Sequence, residues 1–577
     1  MKVLLTTLNA KYIHSSLALR YLEKYCDSPA YDIVVEEYTI NDTIDSITAN
    51  IYRLEADVIA FSCYIWNITM ILEIADRLKK IKPECTLILG GPEVSYDAET
   101  VLSCHDFIDF IVVGEGEETL KELLQNLIFN DETLDRLKGI VYKSGNGNIV
   151  MNQSRPLICE LDEIPAPYNE QDLERLSGKL IYYETSRGCP FNCSYCLSST
   201  IHGVRYFSMD RIKSDLLLLI RKGVRLVKFV DRTFNCNRQR TLDLFKFLLD
   251  YHGQTSFHFE VAADLFDDEV IQLLSIVPKG VFQFEIGVQS TNQDTIHAID
   301  RRINFEELAV NVAKIRKADN INLHLDLIAG LPEEDYRSFS QSFDDVYGLM
   351  PHVLQLGFLK LLKGAKIRER AAEYGYKFTG LPPYEILESK WLEYGEILKF
   401  KGLEDVLEKY HNSGAFEKSL RYILDKYYKS SFGFFEDLAK YFQEKGLDRL
   451  SHSRKALYDI LYEFYQQEIR ENLDCFIQYL KFDLIFHQKG VQLPYWADKN
   501  EKSGFKEKCF EFLKSEEHIK KYLPQYIGMP AKKVIKEVAF EPFVIDVLAE
   551  EKDIEKVNSV VILFDYSNLK AYPLRQF

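Results

Sequence analysis

The chain has 577 residues, too many for a single core and enough for about three or four domains. Apolar residues make up 46% and charged residues 28%, and the abundant Phe and Tyr exclude a disordered chain. The net charge of −17 argues against a broad nucleic-acid or anionic-membrane surface. The opening Met1-Lys2-Val3-Leu4-Leu5-Thr6-Thr7 reads as a strand rather than a secretion signal, and no apolar run reaches the ~18 residues that span a bilayer. A cytoplasmic location with reduced thiols is therefore expected, and the odd total of 11 Cys goes against a disulfide framework.

In residues 1–151, short β-branched runs alternate with helical patterns. The predicted strands are Val3–Leu8, Asp32–Tyr38, Val58–Ser62, Thr86–Leu89 and Phe110–Val113, and the helices include Ser16–Tyr25, Trp66–Lys80 and Glu117–Leu127. Strict β–α alternation predicts a parallel, doubly wound sheet. A hairpin, Gly139–Lys143 with Asn148–Met151, follows around Gly145-Asn146-Gly147. No G-x-G-x-x-G follows the first strand, where the chain reads Leu8-Asn9-Ala10-Lys11-Tyr12-Ile13-His14, so a dinucleotide fingerprint is missing. Glycines instead end the fourth and fifth strands, in Gly90-Gly91-Pro92-Glu93 and Val113-Gly114-Glu115-Gly116-Glu117. These lie at the carboxyl edge of the sheet, where such folds bind ligands, and the glycines let a large ligand lie against the backbone. The competing reading is a pair of ordinary turns with Glu placed favourably at a helix N-terminus.

Pro156, Pro165 and Pro167 mark a connector over 152–178. A second α/β run fills 179–370, with strands Leu180–Thr185, Leu226–Val230, Ser256–Val261, Val281–Ile286, Asn322–Ile328 and Val353–Leu359. Six strands with helices between them predict an open, partial (β/α)6 barrel with its site at the C-terminal strand ends. The loop after the first of them carries Cys189-Pro190-Phe191-Asn192-Cys193-Ser194-Tyr195-Cys196. Three thiolates at this C-x3-C-x2-C spacing can hold three irons of a [4Fe-4S] cubane and leave the fourth iron open to a small molecule. A cluster built only for electron storage normally has four cysteines. A zinc knuckle completed by His202 is the competing reading. The other eight cysteines show no metal spacing and read mostly as small buried residues. From 371 to 577 the pattern turns mainly helical, for example Glu417–Lys429, Phe434–Lys445 and Ser453–Asn472, with a strand over Val557–Phe564.

The cysteine trio, with Gly188 ahead of it and Tyr195 before its last member, resembles the radical S-adenosylmethionine (SAM) superfamily. The resemblance implies that SAM chelates the open iron and is cleaved to a 5′-deoxyadenosyl radical. It also implies SAM contacts: Tyr195 against the adenine, Asp231 at the methionyl amino group, Glu260 in the third strand, Glu285 at the ribose, Gln289 in the same segment, and Gly330 beside the adenine. Relatives often have Arg where this chain has Ala263.

The paired glycine segments resemble the cobalamin-binding domain fused to many radical enzymes. They imply a corrin site at Ser62, Tyr64, Gly90, Gly91, Pro92, Glu93, Val113, Gly114, Glu115, Gly116 and Glu117. That domain's D-x-H-x-x-G segment is absent, and His14 stays unassigned. The C-terminal third resembles an uncharacterised helical domain of a subgroup of these proteins. Together these resemblances imply a cobalamin-dependent radical SAM enzyme, most simply a methyltransferase acting on an unactivated carbon of a small molecule or peptide. A low-potential donor such as flavodoxin or ferredoxin would supply electrons. A non-methylating radical enzyme (rearrangement, cyclisation or redox) and a non-catalytic cobalamin or redox sensor are the alternatives. Methylthiolation ranks behind them, because no Cys follows the first strand.

Overall fold

The computed structural model describes residues 1–129, 134–497, 504–549, 560–574 and 577. Two compact units result: residues Met1–Pro351 with Leu356–Ile397, and His352–Gln355 with Leu398–Phe577.

The first unit begins with a seven-stranded sheet. Its strands are β1 (Lys2–Asn9), β2 (Asp32–Thr39), β3 (Val58–Ser62), β4 (Thr86–Gly90), β5 (Phe110–Val112), β6 (Ile140–Lys143) and β7 (Ile149–Met151), in the order β2-β1-β3-β4-β5-β6-β7. The first five are parallel, and β6 and β7 add antiparallel to one edge. The central strands are apolar on both faces, with β3 buried throughout, because helices cover each side. The order reverses between β1 and β3, which opens a crevice at the carboxyl ends of those strands. Two helix starts have a local cause: Ser16 caps Leu17–Tyr25 by accepting from the Leu19 N–H, and Thr43 caps Ile44–Arg53 through Ser46.

Six further parallel strands follow the connector: β8 (Ile181–Tyr183), then, past the two-stranded hairpin β9 (Ser186–Cys189) and β10 (Gly203–Tyr206), β11 (Leu226–Phe229), β12 (Ser256–Glu260), β13 (Phe282–Gln289), β14 (Asn322–Ala329) and β15 (Val353–Phe358). Their spatial order is sequential, β15-β14-β13-β12-β11-β8. The two-residue pleat sorts the side chains. Phe229, Phe257, Phe259, Phe282 and Phe284 are fully buried against the helix layer around Phe245, with ring centroids about 5–6 Å apart. The intervening Lys228, His258, Glu260, Gln283, Glu285, His324 and Asp326 are half-buried on the other face. The partial barrel therefore has a polar lumen rather than the packed interior of a closed eight-stranded one.

The second unit is largely helical. Its helices include Glu417–Tyr427, Ser431–Glu444, Arg454–Phe464 and Leu473–His487, packed through aromatic pairs such as Tyr465 on Phe476, 3.9 Å between centroids. The expected single helix Ser453–Asn472 is two elements, because a π turn over Tyr465–Ile469 leads into left-handed Arg470 and Asn472. The expected end strand is Val560–Asp565, and residues 557–559 lie outside the described ones. It is the centre of an antiparallel sheet whose edge strands, Val538–Phe543 and Lys570–Leu574, carry Pro542 and Pro573. Proline hides a strand from a pattern reading, yet an edge position tolerates it. No helix among the described residues is long and apolar enough to cross a membrane.

Candidate functional site

The carboxyl ends of the N-terminal sheet, the ends of β8 and β11 and the β9–β10 hairpin line one cavity of about 910 Å³, next to the cysteine loop but without the three cysteines in its lining. That volume lies at the upper end of the roughly 300–1,000 Å³ typical of small-molecule sites. The sheet contributes the loop after β1 with Asn9 and His14, Ser62 and Tyr64 after β3, Gly90–Glu93 after β4, and Gly114–Glu117 after β5. The barrel side contributes Tyr182, Glu184, the Arg187–Gly188 pair before the first cysteine, and Leu197 and Ser198 just past the last one.

Ten of the eleven residues expected to hold a corrin line this cavity. The exception is Val113, which packs on the sheet's core while its neighbour Val112 faces the cavity; the strand's alternation fixes that parity. The glycines differ in what they do. Gly91 sits at φ +105, ψ 174, and a Cβ there would stand 2.6 Å from the Cys63 carbonyl oxygen, so its lack of a side chain serves the strand end rather than a ligand. Gly114, at φ +83, has nothing within 4 Å of a Cβ and opens on the cavity. Tyr64 stacks flat on Trp66 at 4.5 Å, and the Trp66 indole N–H donates to the Leu8 carbonyl at 3.0 Å. His14, left unassigned from sequence, has Nδ1 2.5 Å from the Tyr182 hydroxyl and stacks on that ring. Glu93 is 5% exposed; it takes a hydrogen bond from the Tyr384 hydroxyl and lies 3.2 Å from Lys363 Nζ.

Cys189 ends β9, where Gly188 lets the strands of the hairpin approach closely, since a Cβ there would stand 2.1 Å from the Gly203 carbonyl oxygen. Each thiol has a donor or hydroxyl beside it. Arg301 Nη1 donates to Cys193 Sγ at 3.6 Å, the Ser198 N–H to Cys196 Sγ at 3.4 Å, and the Thr233 hydroxyl lies 3.6 Å from Cys189 Sγ. Burial raises the Cys193 thiol, and the Arg301 charge opposes that. Among the described residues no three His, Cys, Asp or Glu groups close on a single ion. His202 is exposed and meets Cys189 through backbone pairing, which goes against the zinc knuckle. A buried guanidinium and a backbone N–H aimed at sulfur are the kind of outer support that thiolate ligands use.

The expected SAM residues divide. Tyr195 lies by the cluster loop, its hydroxyl accepting from Arg301 Nη1 at 3.1 Å. Glu260 and Glu285 face the lumen in register on β12 and β13. Lys228 Nζ donates to Glu285 at 3.0 Å, and His258 Nε2 lies 2.9 Å from the same oxygen. Burial would raise the Glu285 carboxyl, but His258 and Lys228 bring it down to about 2. Burial lifts Glu260 to about 7 despite the Arg232 charge. Gln289, at φ +74, folds its amide back over Gly287.

Two of the expected residues are engaged by the protein itself. Asp231 is 1% exposed, and its oxygens accept from the Thr185 N–H and hydroxyl and from the Ser186 hydroxyl, so it ties β8 to β11; its neighbour Arg232 reaches the cavity. Gly330 faces Ile386, whose Cδ1 would lie 2.8 Å from a Cβ, so its close approach is made by the protein itself. Of the eight other cysteines only Cys26, Cys63, Cys85 and Cys509 are buried; Cys104 and Cys159 are exposed, and Cys236 lies 3.3 Å from the Tyr206 hydroxyl. The sequence reading missed Trp66, Arg187, Arg205, Arg301 and Lys363. For the first two arginines a signal existed: basic residues flank the cysteine loop, and the glycine segment opposite is acidic.

Comparison with known proteins matches three stretches of the chain. A B12 binding domain family matches residues 3–124, the radical SAM superfamily residues 183–346, and a family described as a protein of unknown function (DUF4080) residues 372–564. A cobalamin-dependent radical SAM methyltransferase, TokK of Streptomyces tokunonensis, is 26% identical over 346 residues, 56% of this chain and 50% of that protein. A 2-(S-pantetheinyl)-carbapenam-3-carboxylate methyltransferase of Streptantibioticus cattleyicolor is 24% identical over 70% of this chain and 63% of its own length. The chain thus spans about half to two-thirds of these relatives. In fold it is similar to the cobalamin-dependent SAM radical enzyme OxsB, with a TM-score of 0.60 at 15% identity over 83% of this chain and 78% of that one.

Proposed function

We propose, from the premise that the chain is a radical SAM protein with an N-terminal B12-binding domain, that it methylates an unactivated carbon of a small molecule or peptide. When bound, the [4Fe-4S] cluster with SAM supplies a hydrogen-abstracting radical and cobalamin supplies the methyl group. The observation that supports this reading is the shared cavity: the corrin-side loops and the hairpin of Cys189 open on the same space. A reactive carbon centre is useful only where the partner group already stands beside it and water is kept out.

The residues divide the work. Cys189, Cys193 and Cys196 would hold the cluster, with Arg301 neutralising part of its charge. The Gly114–Glu117 and Gly90–Glu93 loops, with Ser62 and Tyr64, would seat the corrin. Lys228, His258, Glu260 and Glu285 make the lumen polar, which suits SAM and a substrate with hydrogen-bonding groups. A low-potential flavodoxin or ferredoxin would supply electrons in the cytoplasm.

The test is anaerobic incubation with SAM, cobalamin, a low-potential reductant and cell extract. The reading expects both S-adenosylhomocysteine and 5′-deoxyadenosine together with a methylated product. 5′-Deoxyadenosine alone would favour a non-methylating radical reaction, and neither product would favour a sensor.

A further inference from the structure

A buried ionic network joins the loop that faces the corrin side to the hairpin that carries the first cluster cysteine. Arg187 lies two residues before Cys189 on β9, and Arg205 is its cross-strand partner on β10. All three guanidinium nitrogens of Arg187 meet carboxylates: Nε reaches Glu184 Oε1 at 2.9 Å, Nη2 reaches Glu117 Oε1 at 2.6 Å, and Nη1 lies 3.4 Å from Glu115 Oε1. Arg205 grips Glu115 with both Nη groups, at 2.6 and 3.0 Å. These side chains are 7–17% exposed. The Arg187 guanidinium also lies over the Tyr21 ring, 5.4 Å from its centroid.

Charges this far from water are costly to separate, because parting them leaves each buried and uncompensated. The 114–117 loop and the β9–β10 hairpin are therefore held as one body. A ligand that orders either segment spares a second ligand part of the same cost, and by linkage the benefit is equal in both directions.

We infer that Arg187 couples the two cofactor sites, so that loading the cluster tightens corrinoid binding and corrinoid binding tightens retention of the cluster. This rests on the reading that both cofactors are used. Arg187 is here a positioning residue: it acts through Glu115 and Glu117 on one side and through the strand leading to Cys189 on the other.

The experiment is a titration of the full chain with hydroxocobalamin, followed by absorbance, before and after chelation removes the cluster. Coupling in the usual range predicts corrinoid binding at least about fivefold tighter in the cluster-loaded protein. In Arg187→Met the ratio of the two affinities should fall toward one, and Glu117→Gln, which keeps the size of the side chain, should lower it part of the way. The ratio, rather than either affinity, separates coupling from a general loss of fold. Equal affinities with and without the cluster in the unmodified protein would overturn the inference whatever the variants do. A variant Arg187→Met that folds, as judged by circular dichroism, and keeps the full ratio would overturn the role of Arg187. Absence of corrinoid binding in both states would instead remove the cobalamin reading itself.

Discussion

Gly91 and Gly114 end neighbouring strand-edge loops, but replacing each by Ala should do different things. Gly91 holds φ +105, ψ 174, a backbone region open essentially to glycine alone, and a side chain there costs about 1–3 kcal/mol. Its Cβ would also stand 2.6 Å from the Cys63 carbonyl oxygen and 3.1 Å from the Cys63 nitrogen. Those are backbone atoms that cannot rotate away, so a further ~1–3 kcal/mol of overpacking is added. Gly91→Ala should therefore lose roughly 2–6 kcal/mol of stability. Gly114 is also left-handed, at φ +83, but meets nothing within 4 Å, so Gly114→Ala should lose only about 1–3 kcal/mol. The added methyl would project where a corrin is proposed to lie, and about a tenfold loss of hydroxocobalamin affinity, ~1.4 kcal/mol, is expected. Urea unfolding followed by far-ultraviolet circular dichroism gives the first quantity, and absorbance titration of the folded proteins gives the second. A Gly91→Ala protein with an unchanged urea midpoint and a weakened corrinoid site would refute the division of roles.

Replacing Cys189, Cys193 and Cys196 together by Ala should take iron from about four per chain to none, measured after anaerobic reconstitution; iron persisting in that variant would place a second cluster on the remaining cysteines. Arg301→Gln should lower the cluster's reduction potential, because a buried cation next to Cys193 favours the more negative reduced state; each ~1.4 kcal/mol of lost attraction amounts to about 60 mV in a potentiometric titration. Glu260 gives a pH signature. Burial lifts its carboxyl from 4.5 to about 7, so between those values the folded chain holds a proton that the unfolded chain has released, and stability falls as pH rises through that window. Each pH step of one across the window costs at most ~1.4 kcal/mol, and solvent at the lumen screens part of that. Glu260→Gln should therefore match the unmodified protein near pH 4.5 and exceed it by roughly 2 kcal/mol at pH 8. Denaturant midpoints across that range check it.

The alternation of β-branched runs with helical patterns carried most of the first unit, because parallel strands buried on both faces are continuous apolar runs bounded by turns. The cysteine trio and the two glycine segments were legible for a related reason: a cluster loop and a strand-end loop are each set by a few adjacent residues. What stayed hidden depends on residues far apart in the chain. Arg301 reaches Cys193 across 108 positions, and Arg205 reaches Glu115 across 90. Adjacency to a strand end does not say which way a side chain points: Asp231 turns to Thr185 and Ser186, and the Cα of Gly330 faces Ile386. Val113 follows Val112 by one residue, and in a strand that is the opposite face.

The central claim is that one cavity serves both cofactors, and the most direct test is electron paramagnetic resonance on protein carrying cob(II)alamin and the reduced cluster together. Both centres are then paramagnetic, and facing sheet edges predict spin–spin broadening of the cobalt signal that disappears in the Cys189→Ala, Cys193→Ala, Cys196→Ala protein. A cobalt spectrum identical in the two preparations, with both centres shown to be fully loaded and reduced, would contradict the account.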